Sequence, residues 1–236
     1  MELSANDRQG ALCKAARGEL DERGFALLPA LVQPETCEEI AAYYADERRF
    51  RSRIEMARYG FGRGEYKYFA YPLPKIVQQL RNSLYPELAP LANQWAERLG
   101  ANRRYPERFS DFIEECHRAG QNRPTPLLLK YGASDFNCLH QDLYGEIVFP
   151  FQVTVFLSQR GKDFDGGKFI LCEQRPRQQS RAEALDPDRG DAVVFSVHHR
   201  PVRGARGYYR ATLRHGVSTV HSGERYTLGI IFHDAK

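Results

Sequence analysis

His140 and Asp142 stand one residue apart in the stretch CLHQDLYGE (138–146). On an extended chain, residues i and i+2 project to the same side, so an imidazole and a carboxylate in this spacing can meet one cation. A redox-active Fe(II) takes nitrogen and carboxylate ligands on one face of its octahedron and keeps the other positions open for co-substrate and oxygen. Two histidines with one carboxylate meet that need. The chain has seven histidines, enough for an H-x-D to arise by chance, so the pair acquires meaning only if a third ligand converges on it from a distant segment.

Five later histidines compete for that place: His198, His199, His215, His221 and His233. His215 is preferred, because it sits in the strand-like LRHGV and the hairpin that follows delivers Arg225. His221, next to the SGE turn, is the rival. His198 and His199 lie in a strongly basic loop, and His233 is adjacent to Asp234 and harder to direct inward. An arginine at 225 is costly to bury unless it meets an anion, and its fork of donors suits the distal carboxylate of a small diacid. Thr227 shares that face of the strand, and the hydroxyl of Tyr131, at the end of LLLKY, can reach the same carboxylate.

These side chains need a scaffold. The first half of the chain reads helical: PETCEEIAAYYADERRF (34–50), YPELAPLANQWAERLG (85–100) and SDFIEECHRAG (110–120) each carry an apolar stripe. Between the first two, RYGFGRGEYKYFAYPLP (58–74) is too rich in glycine, proline and aromatics for a helix. After Pro126 the period changes to two. LLLKY (127–131), FQVTVFLS (151–158), GKFILCE (167–173), DAVVFSV (191–197), YRATLRHGVS (209–218) and RYTLGIIFH (225–233) read as strands, with turn signals between several of them. No long helical pattern separates them, so parallel βαβ units are disfavoured. The expected fold is α+β: a mainly-β jelly-roll barrel of the double-stranded β-helix kind, buttressed by N-terminal helices. It is expected as one domain over 1–236, with 1–125 as mostly helical support and substrate-cleft segments and 126–236 as barrel core.

Composition bounds the function. With 42% hydrophobic and 27% charged residues the chain is neither disordered nor a coiled coil. No run of 18 apolar residues suggests a membrane span and no secretory signal is visible. Five scattered cysteines fit reduced thiols and a cytoplasmic location. The net charge of +4 is modest, but basic residues bunch in two places. HHRPVRGARGYYRATLRH (198–215) places Arg203, Arg206 and Tyr208 before His215, and a second cluster between Arg48 and Lys67 includes Arg63 and leads to Tyr68. A basic, aromatic-bearing rim suits single-stranded or damaged nucleic acid; an anionic small molecule or an acidic peptide would use the same rim. GFGRG (60–64) lacks a nucleotide fingerprint, and DFDGG (163–167) fits a tight turn better than a calcium loop.

KYGASDFNCLHQDLYG, DFDGGKFIL, GDAVVF and LRHGVSTVHSGERYTLGIIFH together resemble the Fe(II)/2-oxoglutarate-dependent dioxygenase superfamily. More closely, the chain is similar to a bacterial subfamily described as acting oxidatively on damaged nucleic acid, in analogy to AlkB-type demethylases. The resemblance implies that His140, Asp142 and His215 hold Fe(II), that Arg225 grips the distal carboxylate of 2-oxoglutarate, and that O2 is the third reactant. It further implies decarboxylation to succinate coupled to C–H hydroxylation, which on an N-methyl group releases formaldehyde and the bare base. A hydroxylase of a protein side chain, prolyl-hydroxylase-like, or of a small molecule is the alternative. A cupin-type isomerase would give Arg225 no use, and a non-catalytic barrel would not be expected to keep all three ligands. One position departs from the AlkB-type pattern: Ile231 stands where those enzymes carry a second arginine.

Overall fold

The structure is a computed structural model that describes residues 5–236. In chain order, α1 (Ala5–Arg23), β1 (Phe25–Leu28) and α2 (Pro34–Ala42) precede β2 (Phe50–Glu55), β3 (Gly62–Arg63) and β4 (Glu65–Phe69). Two helices follow, α3 (Lys75–Arg98) and α4 (Phe109–Arg118). The remainder is strand: β5 (Leu127–Tyr131), β6 (Phe136–His140), β7 (Phe151–Phe156), β8 (Phe164–Gly166), β9 (Phe169–Gln174) and β10 (Arg181–Leu185), then β11 (Ala192–Ser196), β12 (His199–Gly204), β13 (Gly207–Val217), β14 (Val220–Gly223) and β15 (Arg225–Ile231).

The strands form a seven-stranded sheet in the order β1-β11-β7-β15-β5-β4-β2 and a second sheet in the order β10-β9-β13-β6-β3, with β12 added to β13. A separate β14-β8 pair completes the strands. The jelly-roll expectation is met in strand content and antiparallel pairing but not in closure: among the described residues no sheet closes on itself. Two facing sheets, joined by side chains across the gap, take the place of a closed barrel.

Period-two alternation explains why both faces of the large sheet are buried. In β7, Phe151, Val153 and Val155 join the helix-covered core, while Gln152 and Thr154 line the space between the sheets. In β15, Leu228 and Ile230 face the helices, and Arg225 and Thr227 face the gap. In β5, Leu127, Leu129 and Tyr131 do the same. Polar side chains on a doubly buried sheet are costly unless partnered, so this inner face marks the site.

The helices cover the outer face. α3 begins well before the expected 85 and runs through Pro86 and Pro90. Each proline forgoes a ladder hydrogen bond, but Val77, Leu80, Leu84, Tyr85, Leu88 and Trp95 are all buried, at roughly 1.5–3 kcal/mol per large side chain. Trp95 Nε1 and Arg98 Nη1 both donate to Asp21 Oδ1, at 2.7 and 2.6 Å, and tie α1 to this helix. The stretch 34–50 is α-helical only to Ala42 and continues as short 3-10 turns. The glycine-rich 58–74 holds β3 and β4. Among the described residues, no helix is long and apolar enough to cross a membrane.

Candidate metal centre and its cavity

β13 pairs with β6 so that His215 lies directly opposite His140. Their ring centroids are 4.2 Å apart. Asp142 follows the end of β6, with Oδ1 3.6 Å from His140 Nε2 and Oδ2 3.3 Å from His215 Nε2. One ligand atom from each residue lies within 4.8 Å of the other two, the spacing that one ion requires. Gly216 permits the close approach of the strands, because a Cβ there would sit 2.7 Å from the Asn137 carbonyl oxygen. The rival histidines lie elsewhere. His221 is exposed on β14, His198 and His199 stack on each other with centroids 3.5 Å apart, and His233 is buried with Nδ1 accepting from the Phe149 amide at 3.3 Å.

Surrounding groups set the protonation state. His140 Nδ1 lies 2.8 Å from the Cys138 carbonyl oxygen; donating there leaves the Nε2 lone pair for a metal. Burial opposes charge on Asp142, yet His215, His140 and the Tyr144 hydroxyl outweigh it and hold the carboxyl well below the usual range. Burial, reinforced by His140, lowers the His215 pKa. An ionised carboxylate is the ligand state a divalent cation needs.

Tyr144 donates to Asp142 Oδ1 at 2.8 Å and accepts from the Tyr68 hydroxyl at 2.9 Å. Gln121 fixes the segment that carries Tyr144, accepting from the Glu146 and Ile147 amides and donating to the Tyr144 carbonyl. Tyr144→Phe is expected to weaken metal binding by about 10–100-fold, the usual effect of removing a partner behind a ligand. Titration with Mn(II) checks this, and unchanged affinity would contradict the assignment.

The triad forms one wall of a cavity of about 330 Å³. Arg225, Tyr131, Thr227, Gln152 and Thr154 also line it. Arg225 and Tyr131 are register partners on β15 and β5. Arg225 is 1% exposed, with its guanidinium carbon 5.4 Å from the ring centroids of Tyr131 and Phe156. None of its three guanidinium nitrogens has a hydrogen-bond partner. Burial lowers its pKa to about 10, against the opposing influence of Tyr131, so it remains a cation at neutral pH. The Tyr131 hydroxyl accepts from Asn137 Nδ2 at 3.3 Å, which leaves its own proton to donate.

An unpaired cation in this position is a large desolvation cost that an incoming carboxylate would relieve. The residues present therefore fit both a divalent metal and a diacid. Gly167 supports the same conclusion: at φ +58, a Cβ there would meet Arg225 Cδ at 2.9 Å, so the second glycine of DFDGG makes room for the guanidinium.

The basic residues expected at the rim are placed differently. Arg203 and Tyr208 are cross-strand partners near the tip of the β12–β13 hairpin, and Arg98 of α3 lies over the Tyr208 ring at 5.2 Å. Tyr208 and His215 are separated along β13 by about 24 Å at ~3.4 Å per residue. Arg203, Arg206 and Tyr208 do not line the metal cavity. Arg63 is exposed on β3 beside a shallow depression shared with Arg53 and Lys130. Tyr68 is buried and reaches the centre only through Tyr144.

The mouth is apolar instead. Phe61 and Leu139 line it, and Tyr59 stacks on Phe61 with centroids 5.5 Å apart. These are three of the seven exposed large hydrophobics among the described residues, a concentration that isolated surface residues would not give. Sequence reasoning missed Asn137, Tyr144, Gln152, Thr154 and Phe61. Only Gln152 and Thr154 carried a signal, as polar residues alternating through an otherwise apolar strand.

Residues 64–235 match the family model Oxygenase-NA, described as "Oxygenase, catalysing oxidative methylation of damaged DNA". The chain is 50% identical over 167 residues to an uncharacterized protein of Mycobacterium tuberculosis, covering 71% of this chain and 72% of that one. Solved structures share the fold at low identity. A Trichoplax adhaerens prolyl hydroxylase in complex with a hypoxia inducible factor oxygen degradation domain peptide fragment aligns with TM-score 0.57 at 16% identity, over 96% of this chain and 91% of that chain. A Pseudomonas putida prolyl-4-hydroxylase aligns with TM-score 0.55 at 14% identity, over 95% and 99% respectively. A Burkholderia pseudomallei oxidoreductase of the 2OG-Fe(II) oxygenase family aligns with TM-score 0.51 at 18% identity, over 94% and 92%.

Proposed function

Since the chain belongs to the Oxygenase-NA family, within the Fe(II)/2-oxoglutarate dioxygenases, we propose that it uses 2-oxoglutarate and O2 to hydroxylate a C–H bond on a neutral protein side chain or small molecule. The observation that carries the co-substrate is Arg225, a buried guanidinium with no acceptor, in the same cavity as the His140–Asp142–His215 group. When bound, iron would supply the oxidising chemistry by which O2 converts 2-oxoglutarate to succinate and carbon dioxide and the substrate C–H to C–OH. The chain's own residues bind and orient. His140, Asp142 and His215 hold the metal, Arg225 takes the distal carboxylate, and the hydroxyls of Tyr131 and Thr227 serve as further donors to it. Tyr144 and Gln121 keep Asp142 in place, and the apolar walls limit water around the reacting centre.

The apolar mouth supports a neutral substrate. Phe61 and Leu139, with Tyr59 stacked on Phe61, offer surface for an aliphatic or aromatic body. The family description favours a second reading, oxidation of damaged DNA, and one experiment separates the two. Succinate and formaldehyde release are measured with proline-containing peptides, with apolar small molecules and with methylated single-stranded oligonucleotides. Stimulation by a neutral substrate, with turnover unchanged in the Arg203→Glu/Arg206→Glu double variant, is the expected result. Formaldehyde from oligonucleotides alone, lost in that variant, would establish the nucleic-acid reading instead. Phe61→Asp is expected to raise the KM for the neutral substrate while leaving substrate-free 2-oxoglutarate turnover intact; an unchanged KM would remove the mouth from substrate binding.

A further inference from the structure

A second cavity, of about 280 Å³, shares no lining residue with the metal cavity. Its apolar surface comes from Phe25, Leu171 and Leu213, and its charged surface centres on Arg200. Leu171 pairs with His215, and Leu213 with Glu173, across β9 and β13. The second cavity therefore lies further along the same two strands from the metal centre.

Arg200 is 4% exposed. It donates through Nε to Glu173 Oε2 at 2.5 Å. That same carboxylate accepts from Arg175 Nε through Oε1 at 2.6 Å. One carboxylate thus serves two guanidinium groups, and Arg200 has no other ion-pair partner among the described residues. Of the remaining charges around the cavity, Arg181 is matched by Glu183 at 2.7 Å and Arg23 by Glu19 at 2.5 Å, leaving Glu22 at the rim. The lining and the partner of Arg23 together hold four arginines against four glutamates, and the local imbalance lies where Arg200 and Arg175 share the one carboxylate of Glu173. Gly24 is shaped around that side chain: at φ +81, a Cβ there would meet Arg200 Cδ at 2.6 Å. A buried guanidinium with a half-share of one carboxylate, above an apolar floor, is an arrangement that an added anion completes.

We propose that this cavity is a second ligand site, which takes a small organic carboxylate with an apolar body, the carboxylate on Arg200 and the body on Phe25, Leu171 and Leu213. The site does not depend on the reading of the metal centre. It lies close enough to matter there, because β13 carries both Leu213 and His215, and Gln141, between two metal ligands, donates to the Leu213 carbonyl at 2.7 Å.

The test uses protein loaded with Mn(II) and saturating 2-oxoglutarate, so that the metal cavity is filled. Benzoate, hexanoate and inorganic phosphate are titrated by calorimetry and ligand-observed NMR. Saturable binding of a carboxylate is expected, weakened roughly tenfold to a hundredfold by Arg200→Gln and unaffected by Arg206→Gln. Should Arg200→Gln not fold, a crystal soaked with the bound carboxylate decides by where the ligand lies. Saturable binding of none of the probes would overturn the site, as would phosphate binding without carboxylate binding, equal affinity in folded Arg200→Gln, or a ligand seated outside this cavity.

Discussion

Arg225→Met is expected to weaken 2-oxoglutarate binding by roughly thirtyfold or more while making the ligand-free protein more stable. The two effects have one cause. The guanidinium is sealed among Tyr131, Phe156 and Phe164 with no acceptor on any nitrogen. It therefore contributes a desolvation penalty and no pairing until a carboxylate arrives. Replacing a buried charge by an apolar side chain of similar length stabilises by about 1–4 kcal/mol in comparable cases, or roughly 2–4 °C in Tm per kcal/mol for a domain of this size. Losing the pair with 2-oxoglutarate costs about 2–5 kcal/mol, or some thirtyfold to several thousandfold in affinity. Thermal melts without ligand and 2-oxoglutarate titrations monitored by succinate release measure both. A structural arginine would give the opposite pattern, with a lower Tm and unchanged co-substrate affinity.

Removing a metal ligand is expected to have the larger effect on turnover. Asp142→Ala deletes the only carboxylate of the group and leaves two imidazoles facing each other at 4.2 Å. His215→Ala deletes the ligand delivered by the strand opposite His140. Loss of a partner behind a ligand already costs about 10–100-fold in metal affinity, so either variant should bring iron-dependent succinate formation to background. His221→Ala, on the exposed β14, should retain wild-type turnover. If His215→Ala kept activity and His221→Ala lost it, the metal centre would be wrongly placed.

The parts of the site legible in the sequence were those fixed by short spacing on one strand. His140 and Asp142, and likewise Arg225 and Thr227, follow from i and i+2 sharing a face. His215 was reachable because it lies within a strand pattern, but its placement opposite His140 comes from the register of β13 on β6, which no local spacing encodes. The arginines of 198–215 show the converse. They precede His215 closely in sequence, yet an extended strand carries a side chain about 3.4 Å per residue away, and the hairpin tip ends against α3. Helix α3 was read too short. Its ten residues before 85 carry no proline; Pro86 reads locally as a helix start, and the burial that carries the helix through it is tertiary. The strands β3 and β4 were hidden by glycines, and barrel closure depends on edge pairings that period-two patterns do not specify.

The most direct measurement of the central claim is an anaerobic crystal structure with Fe(II) and 2-oxoglutarate bound. The expected result is one ion within about 2.0–2.2 Å of nitrogen atoms from His140 and His215 and an oxygen of Asp142, with the distal carboxylate of 2-oxoglutarate hydrogen-bonded to the Arg225 guanidinium. An ion held by other residues, or a co-substrate whose carboxylate lies away from Arg225, would contradict it.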